Sequence, residues 1–155
     1  MNTQGFISYI KGNYTNKGFM ANMRKASSRA TRHYAWPMMA PFCDLQDPTQ
    51  EEAFSLVGYA LARSKKDTPN TGNLGASLRV LTCMDKRLPG KGGPTDGRMK
   101  RLLACRNSAE MCQLLRPVLG LLQSKGVGVD HAKLLEDILG WGETVRRNWA
   151  AVYYT

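Results

Sequence analysis

The segment from residue 107 to residue 122 constrains the fold more than any other part of the sequence. Its apolar side chains recur at Met111, Leu114, Leu115, Val118, Leu119 and Leu122. These positions follow the spacing i, i+3, i+4, i+7, i+8, i+11, which places them on one face of an α-helix. Asn107 is a suitable N-cap, and Pro117 is expected to bend the helix or break its hydrogen-bond ladder locally. The segment predicts a long amphipathic helix.

Helix signals of the same kind occupy the rest of the chain. Thr49 and Glu52 match a capping box, and Asp130 is placed to begin a further helix. Four side chains are expected on one side of a last helix: Trp141, Val145, Trp149 and Val152. Shorter helices are predicted near 3–13, 18–26, 73–84 and 95–104. No run alternates with period two, so we predict an all-α fold, a compact bundle of about seven to eight helices without a sheet.

The length of 155 residues fits a single helical domain covering 1–155. Stretches rich in Gly, Pro and Lys at 64–73 and 85–94 interrupt the helix signals. N-terminal and C-terminal helical halves joined near 64–94 are therefore the alternative arrangement. The second stretch, DKRLPGKGGP, is flexible and polar, so we expect a mobile basic loop that does not pack.

The chain is strongly and unevenly basic. Its formal net charge is +10, and residues 1–43 carry six basic side chains and no acidic one. Residues 44–62 reverse this with four acids and no base, and 63–101 then hold ten bases against three acids. A field of this sign and strength attracts phosphate polymers, and its patchiness suggests separate faces for different partners. We therefore expect contact with nucleic-acid backbone.

The candidate backbone contacts are basic side chains grouped along the sequence. They are Arg24, Lys25, Arg29, Arg32, Arg98, Lys100, Arg101, Arg106, Arg116, Arg146 and Arg147. Arg29 and Arg32 are three residues apart and would share a helix face. The group from Arg98 to Arg101 is expected near a helix N-terminus, where cations oppose the helix dipole and an outside anion would relieve the cost. For each residue alone, a solvated surface position is the simpler explanation, and the prediction depends on the set.

Aromatic residues interleave with the first basic cluster. They are Tyr14, Phe19, Tyr34, Trp36 and Phe42. Such rings stack on unpaired bases in single-strand binding proteins, but they also serve as core or partner contacts. The sequence leaves both roles open, and it contains no signature of base-specific readout.

No constellation of catalytic or metal-binding residues is evident. The pairs Glu51-Glu52 and Glu136-Asp137 are adjacent on helices and point apart, and the four cysteines form no CxxC pair. His33 is expected to be structural or to face RNA, and His131 to be an exposed first-turn residue. We predict no enzyme activity, no metal and no cofactor. The cysteines are interpreted as reduced core residues of a cytoplasmic protein that does not contact a membrane.

Four stretches, taken in order, resemble one family. They are GASLR at 75–79, RMKRLL at 98–103, NSAEMCQLLR at 107–116 and LGWGETVR at 139–146. With residues 23–25 and the Pro41-Phe42 pair in the same layout, nearly the whole chain resembles CasB, the small subunit of the type I-E CRISPR complex called Cascade. The Gly/Lys loop at 85–94 departs from the family's pattern.

The resemblance implies an all-α, non-catalytic subunit present in two copies. It implies contacts with the crRNA-bearing backbone subunits, with the large subunit and with a second copy of itself. A basic surface would help to hold the target strand and the displaced strand of the R-loop. By position, the matching basic residues are Arg24, Lys25, Arg79, Arg98, Arg116 and Arg146, and Gly75 and Gly142 match as backbone positions.

Two other classes of function stay open on the residues alone. A free-standing helical DNA-binding regulator would form its own dimer and prefer certain sequences. A small nuclease would need paired carboxylates or histidines, which are scarce in this sequence.

Overall fold

The chain forms nine α-helices and two 3₁₀ turns, without a strand. The structure is a computed structural model that describes residues 1–155. The helices are α1 Thr3–Lys11, α2 Lys17–Arg24, α3 Trp36–Met39, α4 Pro48–Ser64, α5 Leu74–Met84, α6 Pro94–Leu103, α7 Ser108–Ser124, α8 His131–Leu139 and α9 Glu143–Tyr154. The 3₁₀ turns are Lys25–Ser27 and Arg32–Tyr34. The all-α prediction is confirmed. No helix has the length and apolar character that crossing a bilayer would require.

The first compact unit, Met1–Asp67, is organised around α4. Helices α1 and α2 pack against α4, which buries an almost continuous apolar run. Gly58 lets the neighbouring helices approach closely, because a Cβ there would lie 2.6 Å from Cε of Met23 and 2.9 Å from Cζ of Phe6. The core of this unit therefore depends on contacts between large side chains and a small residue of α4.

The start of α4 differs from the predicted capping box. Asp47 is the N-cap, and its carboxylate accepts hydrogen bonds from the backbone N–H groups of Thr49 and Gln50. Pro48 occupies the first helical position, where its missing N–H costs nothing. The prediction that Thr49 pairs with Glu52 is wrong, because the helix begins one residue before Thr49.

The second compact unit, Thr68–Thr155, contains α5 to α9. Helices α5 and α9 pack closely at Gly75, where a Cβ would overlap the carbonyl oxygen of Trp149. Asn107 and Asp130 cap α7 and α8 as predicted. Helix α7 continues through Pro117, whose side chain is exposed. The division into two units leaves the single-domain arrangement a prediction.

The buried face of α9 differs from the predicted face, which included Val152. Trp149 and Tyr153 are fully buried, whereas Val152 is 39% exposed. Trp141 precedes the helix and donates a hydrogen bond from Nε1 to the carbonyl oxygen of Cys105 at 2.9 Å. Residues 149 and 153 are one turn apart, so the true apolar stripe is offset from the predicted one.

The second half of the loop at 85–94 is fastened by a buried carboxylate. Asp96 in the first turn of α6 accepts hydrogen bonds from the N–H groups of Gly90 at 2.9 Å and Gly92 at 2.6 Å. Both glycines have positive φ, +83° and +86°, which only glycine adopts without strain, and so both amides can face one carboxylate. The loop is therefore not the unpacked segment that its composition predicts.

Candidate nucleic-acid interface

Three basic side chains of the first unit are exposed to solvent. Arg24 ends α2, and Lys25 opens the following 3₁₀ turn. The ammonium of Lys25 lies 4.1 Å above the centroid of the Tyr34 ring, a cation–π arrangement. Arg29 extends into solvent with 82% of its side chain exposed, and it reaches Oε2 of Glu52 at 3.4 Å. Exposed cations of this kind can reach an external phosphate, which at Arg29 would compete with Glu52.

Arg32 is turned into the interior and does not join that surface. Only 4% of its side chain is exposed. Its guanidinium donates to the carbonyl oxygen of Ala26 at 3.0 Å, to Oε2 of Glu52 at 2.9 Å and to Oε1 of Glu51 at 3.3 Å. Two carboxylates and a backbone carbonyl satisfy the hydrogen bonds of this buried arginine, so removing it would leave them unpaired, and it presents no charge to solvent. The expectation that Arg32 contacts nucleic acid is contradicted by this geometry.

Arg29 and Arg32 do not share a face, although they are three residues apart. The spacing rule that predicts a shared face holds only inside a helix. The 3₁₀ turn ends at Ser27, and Ser28 is extended with φ −115° and ψ 137°. The chain therefore changes direction between them, which sends Arg29 outward and Arg32 inward, although both reach the same carboxylate of Glu52.

The basic residues of α6 lie further along their helix than expected. Because α6 begins at Pro94, Arg98 is in its middle, while Lys100 and Arg101 are in its last turn. Cations in a last turn interact favourably with the helix dipole. The expectation that these cations need an outside anion to relieve a dipole cost is therefore wrong. Their exposure still leaves them available: Lys100 and Arg101 are exposed, and Arg98 is partly exposed.

Arg98 and Arg101 edge a shallow groove between α6 and α7. The groove has a volume of about 230 Å³. Its other lining residues are Leu102, Leu114, Pro117, Val118 and Leu121. Leu114 is thus only partly buried, although its spacing places it with the core positions of α7. Two guanidinium groups one turn apart on one helix therefore border the same groove.

The remaining basic candidates of the second unit are more constrained. Arg79 is partly buried and donates to the carbonyl oxygen of Tyr153 at 2.9 Å. Arg146 and Arg147 both bind Glu143, at 3.3 Å and 3.0 Å. Arg116 is also partly buried, whereas Arg106 is exposed. Of these residues, Arg106 and Arg147 present most of their charge to solvent.

The histidine and cysteine side chains that could act in catalysis lie in surroundings that do not favour it. His131 is 5% exposed, so the expectation of an exposed first-turn residue is wrong, while His33 is exposed. Burial, together with the charges of Glu51 and Asp44, raises the pKa of the Cys43 thiol to about 11, and burial also raises the pKa of the Cys105 thiol. Thiols held protonated in this way are poor nucleophiles. No group of three or more His, Cys, Asp and Glu side chains is arranged to hold a metal ion.

The fold has close structural counterparts. A chain from a CRISPR RNA-guided surveillance complex aligns with a TM-score of 0.78 at 22% identity, covering 98% of this chain and 91% of that one. A Cse2-family CRISPR-associated protein from Thermus thermophilus aligns with a TM-score of 0.76 at 24% identity, covering 99% of both chains. CasB from M. ruber aligns with a TM-score of 0.77 at 16% identity, covering 99% of this chain and 93% of that one.

Sequence comparison identifies the family directly. No curated protein sequence matches the chain. The family model for CRISPR-associated protein Cse2, by contrast, matches residues 20–154, which is most of both units. The chain belongs to the CRISPR-associated Cse2 family.

Proposed function

We propose that the chain is the non-catalytic small subunit of a crRNA-guided type I-E surveillance complex, where it contacts nucleic-acid backbone and stabilises the R-loop. The observation that carries the proposal is the exposed positive charge of each unit in a member of the Cse2 family. The first unit has no acidic residue before Asp44, and the second presents the basic end of α6. Such surfaces bind sugar-phosphate without reading base sequence.

The proposed contact residues are the basic side chains that reach solvent. They are Arg24, Lys25 and Arg29 in the first unit, and Arg98, Lys100, Arg101, Arg106 and Arg147 in the second. Arg79, Arg116 and Arg146 are partly buried and make a smaller contribution. Arg32 leaves the set because its charge is neutralised inside the first unit.

Contacts of modest strength suffice for this role. Formation of an R-loop exchanges a DNA duplex for an RNA–DNA heteroduplex of similar stability, so small favourable contacts with either DNA strand shift the balance. If about four to six phosphates are neutralised, log Kobs should fall against log salt concentration with a slope of about −4 to −5 for duplex DNA and about −3 to −4 for a single strand.

The proposal includes the partners that such a role requires. They are the crRNA, the target DNA, the backbone and large subunits of the complex, and a second copy of the chain. The proposed place of action is the cytoplasm, and no cofactor is involved. Incorporation of the chain into a complex reconstituted from the other subunits tests this part of the proposal.

Charge reversal on α6 tests the nucleic-acid contact. Arg98→Glu combined with Arg101→Glu should lower R-loop stability and reduce the salt slope by about 1 to 2, while assembly is retained. Lys17→Glu combined with Lys125→Glu is the matched control, because both lysines are exposed, lie outside the proposed set and change the net charge equally. R-loop lifetimes that fall equally for both double variants would contradict the residue assignment. Discrete protected sites on genomic DNA with the chain alone would instead favour a free-standing regulator.

A further inference from the structure

We propose that His33, Tyr34 and Trp36 form a stacking platform for the unpaired bases of single-stranded nucleic acid, flanked by Arg24, Lys25 and Arg29 for its phosphates. The inference rests on the proposed function and deepens it, because it adds contact with base faces to contact with backbone. Stacking on aromatic rings tolerates any base sequence, so the platform would bind a separated strand without selecting it.

The first support is the exposure of the rings. Tyr34 is 47% exposed and Trp36 is 42% exposed. The same unit buries Phe6 and Phe54 completely, and Phe19 is 8% exposed. Aromatic side chains contribute large areas to a core when they are buried. Two large rings therefore remain at the surface two residues apart, where a ligand can reach them.

The second support is the arrangement of the rings in a row. The His33 and Tyr34 centroids are 4.5 Å apart with an angle of 32° between the ring planes. The His33 and Trp36 centroids are 6.2 Å apart with an angle of 68°. Both separations lie within the range of direct aromatic contact, so the imidazole links the phenol and the indole into one surface.

The third support is that the backbone beneath the rings is held in place. Arg32 and Ala35 point inward, where Arg32 is fixed by Glu51 and Glu52, and Ala35 is fully buried. The intervening and following residues point outward, so buried and exposed positions are interleaved along this short segment. A platform anchored by buried side chains loses little conformational entropy when a ligand binds.

The charges around the platform indicate which class of ligand it would bind. Lys25 covers one face of the Tyr34 ring, which leaves the rest of the exposed row to a base, and Arg24 is its neighbour in sequence. The carboxylates of Glu51 and Glu52 are engaged by Arg32, and Glu52 also binds Arg29, so the two acids are balanced by these two arginines. Flat rings beside the cations of Arg24 and Lys25 suit a polyanion whose monomers carry flat faces, which is a single nucleic-acid strand.

The test compares two ligands with equal charge. The wild-type chain and its variants are titrated with a thymidine oligonucleotide and with an abasic oligonucleotide of the same length. Trp36→Ala combined with Tyr34→Ala should weaken binding of the thymidine strand at least about fivefold and change binding of the abasic strand less than about twofold. Tyr154→Ala is the control, because Tyr154 is similarly exposed, at 42%, in the other unit. Melting temperatures establish that each variant is folded.

Fluorescence gives a second readout at the platform itself. Stacking of a base on the indole should quench the emission of Trp36, so quenching by the thymidine strand should be lost in Trp36→Phe. That variant retains a ring and should keep most of the affinity. Quenching of equal size in Trp36→Phe would place the change at Trp141 or Trp149 and would overturn the proposal.

The remaining outcomes separate the two proposals. If neither strand binds the wild type at low salt, the proposed function itself is wrong. If both strands bind and the double alanine variant weakens them equally or not at all, the platform is wrong while backbone binding stands. If the double variant binds both strands normally but no longer assembles with the other subunits, the rings form a protein contact and the platform is again overturned.

Discussion

The phenol of Tyr153 donates a hydrogen bond to Oδ1 of Asp96 at 2.5 Å, which ties the C-terminal helix α9 to the start of α6. The Tyr153 oxygen also lies 2.8 Å from the hydroxyl of Thr82. The bond from Tyr153 and the amides of Gly90 and Gly92 lower the pKa of Asp96 to about 2 against the opposing effect of burial. Burial and the bond to Asp96 raise the pKa of Tyr153 to about 12. The pair therefore stays a phenol and a carboxylate throughout the physiological range of pH.

Replacement of Asp96 by asparagine should destabilise the second unit. The amide keeps the shape of the side chain but removes the charge that three donors share. Hydrogen bonds to charged groups contribute about 1.5–3 kcal/mol each, so we expect Asp96→Asn to lower the free energy of unfolding by about 2 kcal/mol. Urea denaturation measures this change. Asp85→Asn, at an exposed position, should alter it by less than about 0.5 kcal/mol, and equal effects would refute the role of Asp96.

The same carboxylate predicts a dependence on acid pH. Its folded pKa of about 2 lies below the ordinary value of 3.8, so between these values the folded state binds fewer protons than the unfolded state. The stability contributed by ionised Asp96 is thus complete above about pH 4 and is lost as the pH falls through 2. The difference in unfolding free energy between wild type and Asp96→Asn should shrink over that interval. A difference that stays constant down to pH 2 would show that the charge of Asp96 does not matter.

Alanine variants of Arg32 and Arg29 should distinguish a residue that supports the fold from one that binds nucleic acid at the surface. Both bind Glu52, but their side chains are 4% and 82% exposed. Arg32→Ala leaves two carboxylates without their buried partner and should cost about 3 kcal/mol of unfolding free energy, with little change in nucleic-acid affinity of the folded protein. Arg29→Ala should cost less than about 1 kcal/mol and weaken nucleic-acid binding. Thermal unfolding measures the stability of both variants, and filter binding measures their affinity for nucleic acid. The prediction is wrong if Arg29→Ala loses more stability than Arg32→Ala while Arg32→Ala loses more affinity.

Gly75 should tolerate no side chain. Because a Cβ there would overlap the carbonyl oxygen of Trp149, Gly75→Ala should push α5 and α9 apart and lower the unfolding free energy by about 1–3 kcal/mol. Gly120→Ala is the matched control, since a Cβ at that position in α7 meets nothing within 4 Å. That change should raise stability by about 0.4–1 kcal/mol through the unfolded state. Chemical denaturation of both variants tests the contrast, which fails if the two changes have the same sign.

Local signals in the sequence predict the elements well. The caps at Asn107 and Asp130 need only a side chain and the next three amides, so their assignment does not depend on distant residues. The predicted cap of α4 is wrong because Asp47 and Thr49 are both good N-caps, and only the backbone conformation distinguishes them. The predicted face of α9 is wrong because Tyr153 is buried by partners on α5 and α6.

The candidate site is less predictable because burial is a tertiary property. Nothing in the order of residues reveals that Arg32 meets Glu51 and Glu52, about twenty positions away, or that Asp96 meets Tyr153, 57 positions away. The acid-free run before Asp44 predicts a basic surface, yet it does not say which cation turns inward. Likewise, composition cannot separate the exposed ring of Trp36 from the buried ring of Phe19.

The position of Asp96 beyond the glycines has an evolutionary consequence. Its carboxylate binds amides in the second half of the loop, at Gly90 and Gly92, and so the beginning of α6 is held without a bond from Asp96 to the residues just after Arg87. Because the entropy of closing a loop grows slowly with its length, insertions just after Arg87 should cost little. Related proteins can therefore lengthen or trim this segment while the cations of α6 keep their places.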